Sequence, residues 1–109
     1  MAKRIELEGL DKKVYTLEFT RKSVKQLEAR GFRISELRDK PATLIPDFFA
    51  GAFIAHHPYV KRSVVDEIFD NLERKDEMIE ALGDMYNDTL TSLIGDDEEK
   101  QGNIAWKVV

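Results

Sequence analysis

The sequence predicts an α+β fold, mainly α: an N-terminal β-hairpin followed by about four helices in a small bundle, with a short acidic C-terminal tail. Three observations predict it. Two short stretches near the start alternate apolar and polar residues with a turn between them, the pattern of half-covered strands. From Thr20 onward apolar residues recur at three- and four-residue spacing, the period of helices with one buried face. The chain has 109 residues, 42% apolar and 35% charged, which suits one domain with its own core and is too apolar for a wholly disordered chain. That domain is expected over residues 1–95, followed by an acidic and then apolar tail over 96–109.

The hairpin is expected over residues 3–19. Ile5 and Leu7 share one side of the first strand, and Tyr15, Leu17 and Phe19 one side of the second, with Gly9 and Asp11 in the turn between. An isolated hairpin is marginal in water, so its apolar side should lie on helices or on a neighbouring subunit. The first helix is expected at about 21–30. Thr20 suits its N-cap and Gly31 its C′ position, Val24 and Leu27 point inward, and Phe32 folds back over the end. Residues 33–42 read as a connector with a short helical turn after Ser35.

The second helix is expected at about 44–57, capped by Thr43 and stopped by Pro58. Leu44, Ile45, Phe48, Phe49, Ala52, Phe53 and Ala55 fill an arc of roughly 180° at 100° per residue. Ala50, Gly51 and Ile54 lie away from that arc and permit a close contact, with a helix of the same chain or with another subunit. The third helix, at about 61–74, carries the stripe Val64, Val65, Ile68, Phe69 and Leu72. The fourth, at about 76–93, opens on an Asp76 N-cap and turns Met78, Ile79, Leu82, Met85, Tyr86, Leu90 and Leu93 inward. Gly95 stops it, and Gly83 marks a close helix crossing or nothing. Beyond come Asp96-Asp97-Glu98-Glu99 and then Ile104, Ala105, Trp106, Val108 and Val109. Trp106 either folds back on the body or meets a partner.

Composition excludes several function classes. There are no cysteines, hence no disulfides, cysteine zinc sites or thiol chemistry. The net charge of −4 argues against a general nucleic-acid coat. The charge is unevenly spread: residues 1–40 hold 11 Lys/Arg and 7 Asp/Glu, whereas residues 41–109 hold 6 and 14. Such polarity suggests head-to-tail self-association or two partners of opposite charge. Residues 1–6 lack an apolar signal core, and the longest mostly apolar stretch, 43–55, is broken by Pro46 and Asp47. A soluble cytoplasmic protein without a membrane segment is expected.

No constellation for chemistry emerges, so no catalytic, cofactor-binding or metal-binding residues are expected, and no cofactor. The scattered glycines form no phosphate loop. His56 and His57 are adjacent, about 100° apart on a helix, poorly placed to share a metal and well placed to cap or pack. The carboxylate pairs Asp66/Asp70 and Glu80/Asp84 fall on solvated helix faces. Arg21, Lys22, Lys25, Arg30 and Arg33 form a basic segment over 21–33 that could serve a small DNA-binding regulator. Glu28 and Glu36 interrupt it.

Tyr15-Thr-Leu-Glu-Phe-Thr-Arg-Lys-Ser-Val-Lys-Gln-Leu-Glu-Ala-Arg-Gly-Phe32, Gly51-Ala-Phe-Ile-Ala-His-His-Pro58, Met85-Tyr-Asn-Asp-Thr-Leu90 and Gly102-Asn103 before Trp106 together resemble the small tail assembly chaperones of long-tailed (siphovirus-type) phages and prophages of Gram-positive bacteria. The resemblance spans about residues 5–106 and rests on packing and capping residues. It implies a mostly helical, non-enzymatic protein of the host cytoplasm that coats the tape measure protein, helps recruit tail tube protein, and leaves before the virion is mature. It also implies a homo-oligomer, a ring or spiral. Such a role needs apolar surface for a client, and the residues that could supply it are Phe48, Phe49, Phe53, Ile54, Met78, Met85 and Trp106, although helical spacing reads most of them as core.

Overall fold

The computed structural model describes residues 4–94, 105, 107 and 108. Strands β1 (Ile5–Glu8) and β2 (Val14–Leu17) form the antiparallel hairpin, with Ile5 opposite Leu17 and Leu7 opposite Tyr15. The connection is tied from within. Gly9 donates its N–H to Lys13 O at 2.9 Å, Lys12 turns through a left-handed φ of 68°, and Asp11 accepts from Lys13 N and the Tyr15 hydroxyl. Those two donors lower the Asp11 pKa, and the same hydrogen bond raises that of Tyr15.

Helix α1 (Arg21–Ala29) begins as its sequence predicts. Thr20 Oγ1 accepts from Ser23 N–H at 3.1 Å while Ser23 Oγ accepts from Thr20 N–H at 2.8 Å, a reciprocal cap that uses two orphan donors. At the other end Gly31 takes φ 96°, Phe32 N–H reaches Leu27 O, and Gly31 N–H reaches Glu28 O. This closing pattern needs a residue without a Cβ at the left-handed position. A 3₁₀ turn over Ile34–Glu36 follows.

Helix α2 (Pro41–Gly51) starts earlier and ends earlier than the spacing predicts. Pro41 occupies the first turn, where its missing N–H costs nothing, so Thr43 is not the cap. At the far end Glu18 donates its N–H to Ala52 O at 3.0 Å. That carbonyl is thereby drawn toward the hairpin, and the chain from 52 to 56 winds on as irregular turns. Gly51 sits directly against α1: a Cβ there would come within 2.6 Å of Leu27 Cδ2. The close contact foreseen at Ala50, Gly51 and Ile54 is thus made at Gly51 within the same chain.

Helix α3 (Arg62–Asp70) is also shorter than its apolar stripe. Asn71 caps it, returning Nδ2 to Glu67 O, and Lys75 Nζ donates to Asp70 O and Leu72 O. Arg62 joins α3 to α2 by donating to Asp47 and Asp66, both at 2.8 Å. After Arg74, which has φ 51°, helix α4 (Lys75–Ile94) runs for 20 residues. Asp76 lies inside its first turn and is not its cap. The expected stop at Gly95, the inward Leu93 side chain and the acidic run 96–99 lie outside the described residues.

The core is largely aromatic. Phe48 of α2 is stacked between Phe19 and Phe32, at 5.2 and 5.5 Å between ring centres, and Tyr86 of α4 meets all three at steep angles. Phe49 and Phe53 extend the cluster to Phe69 and Tyr15. Such offset and edge-on pairs add about 0.5–1.5 kcal/mol each beyond area burial. Burial raises the Tyr86 pKa, with the Glu28 charge adding to it. Leu17, Val24, Leu27, Val65 and Leu82 fill the remaining space.

Candidate functional site

The residues expected to meet a client divide sharply. Phe48, Phe49, Phe53 and Met85 are 0, 0, 1 and 4% exposed. They are core, because the apolar arcs of α2 and α4 face each other, and they offer nothing to a partner. Met78 is half-buried and lines a 400 Å³ recess between β1 and the α3–α4 junction. Ile54 is half-buried and borders a 240 Å³ recess with Glu18, Ser23 and His56. Trp106 lies outside the described residues.

An apolar surface that does face solvent lies elsewhere, in an open groove of 660 Å³ where α2, α3 and the start of α4 meet. Pro41, Ala42, Ile45 and Pro46 form one wall, Phe69 the floor, and Ile79 the other wall, with Lys75 and Asp76 at one end. Local chemistry builds it. Two prolines, Pro41 and Pro46, place rigid apolar rings on α2, and Pro46 has no N–H to return to Ala42 O. Ile45 lies outside the packed core cluster. Lys75 is held in place by the carbonyls of Asp70 and Leu72 and sits 5.9 Å from the Phe69 ring centre, where a cation is favoured. An apolar trough with charges at its end matches an amphipathic helix, which inserts residues at i, i+3 and i+4.

Sequence reasoning missed this groove, although a signal existed. An apolar arc of roughly 180° on α2 is wider than the ≳ 100° a helix needs to face one core. The surplus, Ile45 with the prolines, is what the groove displays.

A second polar feature was also hidden. The two histidines do not end a helix; they clasp the hairpin. His57 Nε2 accepts the Thr16 N–H at 3.0 Å, and His56 Nε2 lies 2.6 Å from Glu18 Oε1, which Arg4 Nε also approaches at 3.3 Å. Glu18 is buried, and its carboxylate is matched by these two bases. Burial lowers the His57 pKa and the neighbouring His56 lowers it further. His57 packs as expected, against Tyr15 and the Thr16 N–H of β2, whereas His56 stays exposed and reaches Glu18 just beyond that strand.

Among the described residues, no group of three or more His, Cys, Asp or Glu side chains could hold a metal ion. No described helix is long and apolar enough to cross a membrane. Arg21, Lys22, Lys25, Arg30 and Arg33 are all exposed.

The model of one family, described as a domain of unknown function (DUF5055), matches residues 1–109. No curated protein and no solved structure matches the chain.

Proposed function

The chain belongs to the DUF5055 family, a domain of unknown function, and from that premise we propose that it is a non-enzymatic tail assembly chaperone of a long-tailed phage or prophage. It shields apolar helical surface of the tape measure protein, aids assembly of the tail tube, acts in the cytoplasm of the bacterial host, and is not retained in the mature virion. The single observation that carries this reading is the groove of Pro41, Ile45, Pro46, Phe69 and Ile79. It is open and lined mainly by apolar side chains, which suits the apolar face of a protein partner better than a small polar substrate. The resemblance of residues 5–106 to tail assembly chaperones supplies the client class.

Shielding by such a groove is reversible: burying about 25 cal/mol per Å² of apolar area, less the ordering cost of association, holds a client without trapping it. Co-expression with the tape measure protein tests the reading. The client should stay soluble with the native chain and precipitate with Ile45→Glu or Ile79→Glu. An equally insoluble client in the presence and absence of the native chain refutes it.

A second reading, a small DNA-binding regulator, is favoured by the exposed cations of α1 and its following turn. It predicts binding to duplex DNA that weakens steeply with salt and is lost on Lys22→Glu with Lys25→Glu. No salt-sensitive shift of duplex DNA removes it.

A further inference from the structure

We propose that the outer edge of β1, with the recess beside it, takes an extended segment of another protein as a third strand, a segment in which Lys or Arg alternates with aliphatic residues. The proposal stands apart from the groove between α2, α3 and α4 and uses none of its residues.

The first observation is an unpaired strand edge. The Thr16 N–H goes to His57 and not to β1, so Thr16 and the Glu6 opposite it share no ladder hydrogen bonds. In an antiparallel ladder the N–H and C=O groups of such a pair point away from each other. The same parity holds two residues on, at Glu8 opposite Val14. Glu6 and Glu8 therefore turn their backbone donors and acceptors to the outer flank. Among the described residues no hydrogen bond reaches those groups. The four residues of β1 give about 13 Å of edge at roughly 3.3 Å per residue. A row of unpaired groups of this kind is a template for another strand.

The second observation is the recess of 400 Å³ bordered by Ile5 to Leu10 in unbroken order. Its far side is Ile68, Leu72 and Met78 at the α3–α4 junction. Leu72 and Met78 are half-buried, and Leu10 is 61% exposed. Along β1 the half-buried Ile5 and Leu7 alternate with the exposed Glu6 and Glu8. A strand laid on this edge alternates in step with β1. One side of it meets Leu72 and Met78, and the other stands beside Glu6 and Glu8. Backbone pairing supplies affinity in this mode, and alternate side chains supply selectivity.

The third observation is charge, which decides the occupant. Glu6, Glu8 and Glu73 are exposed at the recess, and no described residue forms an ion pair with them. The cations close by are engaged: Arg4 with Glu18 at 3.3 Å and Arg74 with Glu77 at 3.2 Å. Lys12 and Lys13 belong to the turn beyond Leu10. Two-fold pairing of β1 with a second copy sets the carboxylates of Glu6 and Glu8 against each other, and like charges directly opposite are unfavourable. A segment with Lys or Arg at those positions turns the same contacts favourable.

The test titrates the full chain with the peptide acetyl-Ser-Lys-Val-Lys-Ile-Lys-Ser-amide. Calorimetry reads the affinity, and hydrogen exchange followed by NMR reads the Glu6 and Glu8 amides. Binding should saturate and slow the exchange of both amides. Glu6→Gln with Glu8→Gln should weaken it about tenfold with unchanged circular dichroism. Should that variant fail to fold, a peptide with Glu in place of each Lys carries the same expectation on the native chain. Two further peptides are methylated at the backbone nitrogens, one on its lysines and one on Val and Ile. They remove the donors that face β1 in antiparallel and in parallel pairing respectively, so one of them should bind about tenfold more weakly. Four results overturn the proposal: no saturable binding, equal binding by both methylated peptides, equal binding when the charges on either side are removed or inverted, or Glu6 and Glu8 amides already protected without peptide, which means that this chain or a second copy covers the edge. None of these results bears on client protection by the groove, so the two readings stand or fall separately.

Discussion

Thr16 donates its backbone N–H to His57 Nε2 at 3.0 Å, across 41 residues of sequence. The contact requires a lone pair on that nitrogen, so it exists only while the ring is neutral. Protonation must turn an acceptor into a donor facing a donor.

Acid should therefore loosen this clasp. The folded His57 pKa lies below the ordinary value of 6.5, so the unfolded chain takes the proton first. The contribution of His57 to stability is complete above about pH 6.5 and is lost as pH falls through its lower folded value. Thermal unfolding of the native chain and of His57→Gln, followed between pH 7.5 and 4.5 (roughly the window in which histidine titrates), checks this. Glutamine keeps an acceptor and cannot titrate, so its curve should fall less steeply. Parallel curves would count against the role of His57.

Two glycines should respond in opposite senses to the same substitution. A Cβ at Gly83 meets nothing within 4 Å, whereas one at Gly51 meets Leu27 Cδ2 at 2.6 Å. Gly83→Ala should stabilise by about 1 kcal/mol, the helix-propensity difference. Gly51→Ala should destabilise by about 1–3 kcal/mol, the usual cost of overpacking. Denaturant midpoints report both.

Loss of the reciprocal cap at Thr20 and Ser23 should be felt across the whole domain, because α1 carries Val24 and Leu27 into the core. Thr20→Ala should cost about 1 kcal/mol, and Thr20→Ser should recover most of it. The check is chemical denaturation with an unchanged slope.

Core and groove can be separated by mutation. Phe48→Ala empties the space between Phe19 and Phe32 and should cost about 3–5 kcal/mol, enough to threaten folding. Ile45→Ala and Ile79→Ala sit at the groove and should change stability by about 1 kcal/mol or less while weakening client protection. A client equally well protected by these groove variants would exclude the groove as the binding face.

The hairpin, the four helices and the caps at Thr20 and Gly31 could be read along the chain because each depends on neighbours within a few residues. Period-two alternation at Tyr15 and Leu17 and 3.6-residue spacing at Val65, Ile68, Leu82 and Tyr86 are local records of burial. The end of α2 could not be read in this way. It is set when Glu18 N–H takes the Ala52 carbonyl, a partner remote in sequence. The same limit left Phe48, Phe49, Phe53 and Met85 between core and client face until their burial placed them in the core. Periodicity says that a face is apolar, and only the assembled helices say whether that face looks inward or out. The groove escaped notice because its walls come from three helices, with Phe69 and Ile79 belonging to stripes that otherwise turn inward.

The two histidines and the turn beside them have one more effect. Thr16 and Glu18 spend their outward N–H groups on His57 and Ala52, so that flank of the sheet is shut. On the other flank Glu6, paired with Thr16, points its backbone outward. A ribbon with a single open seam can be zipped to one twin and then has no seam left. Strand-edge pairing by itself can therefore join at most two copies and cannot run on into a longer array.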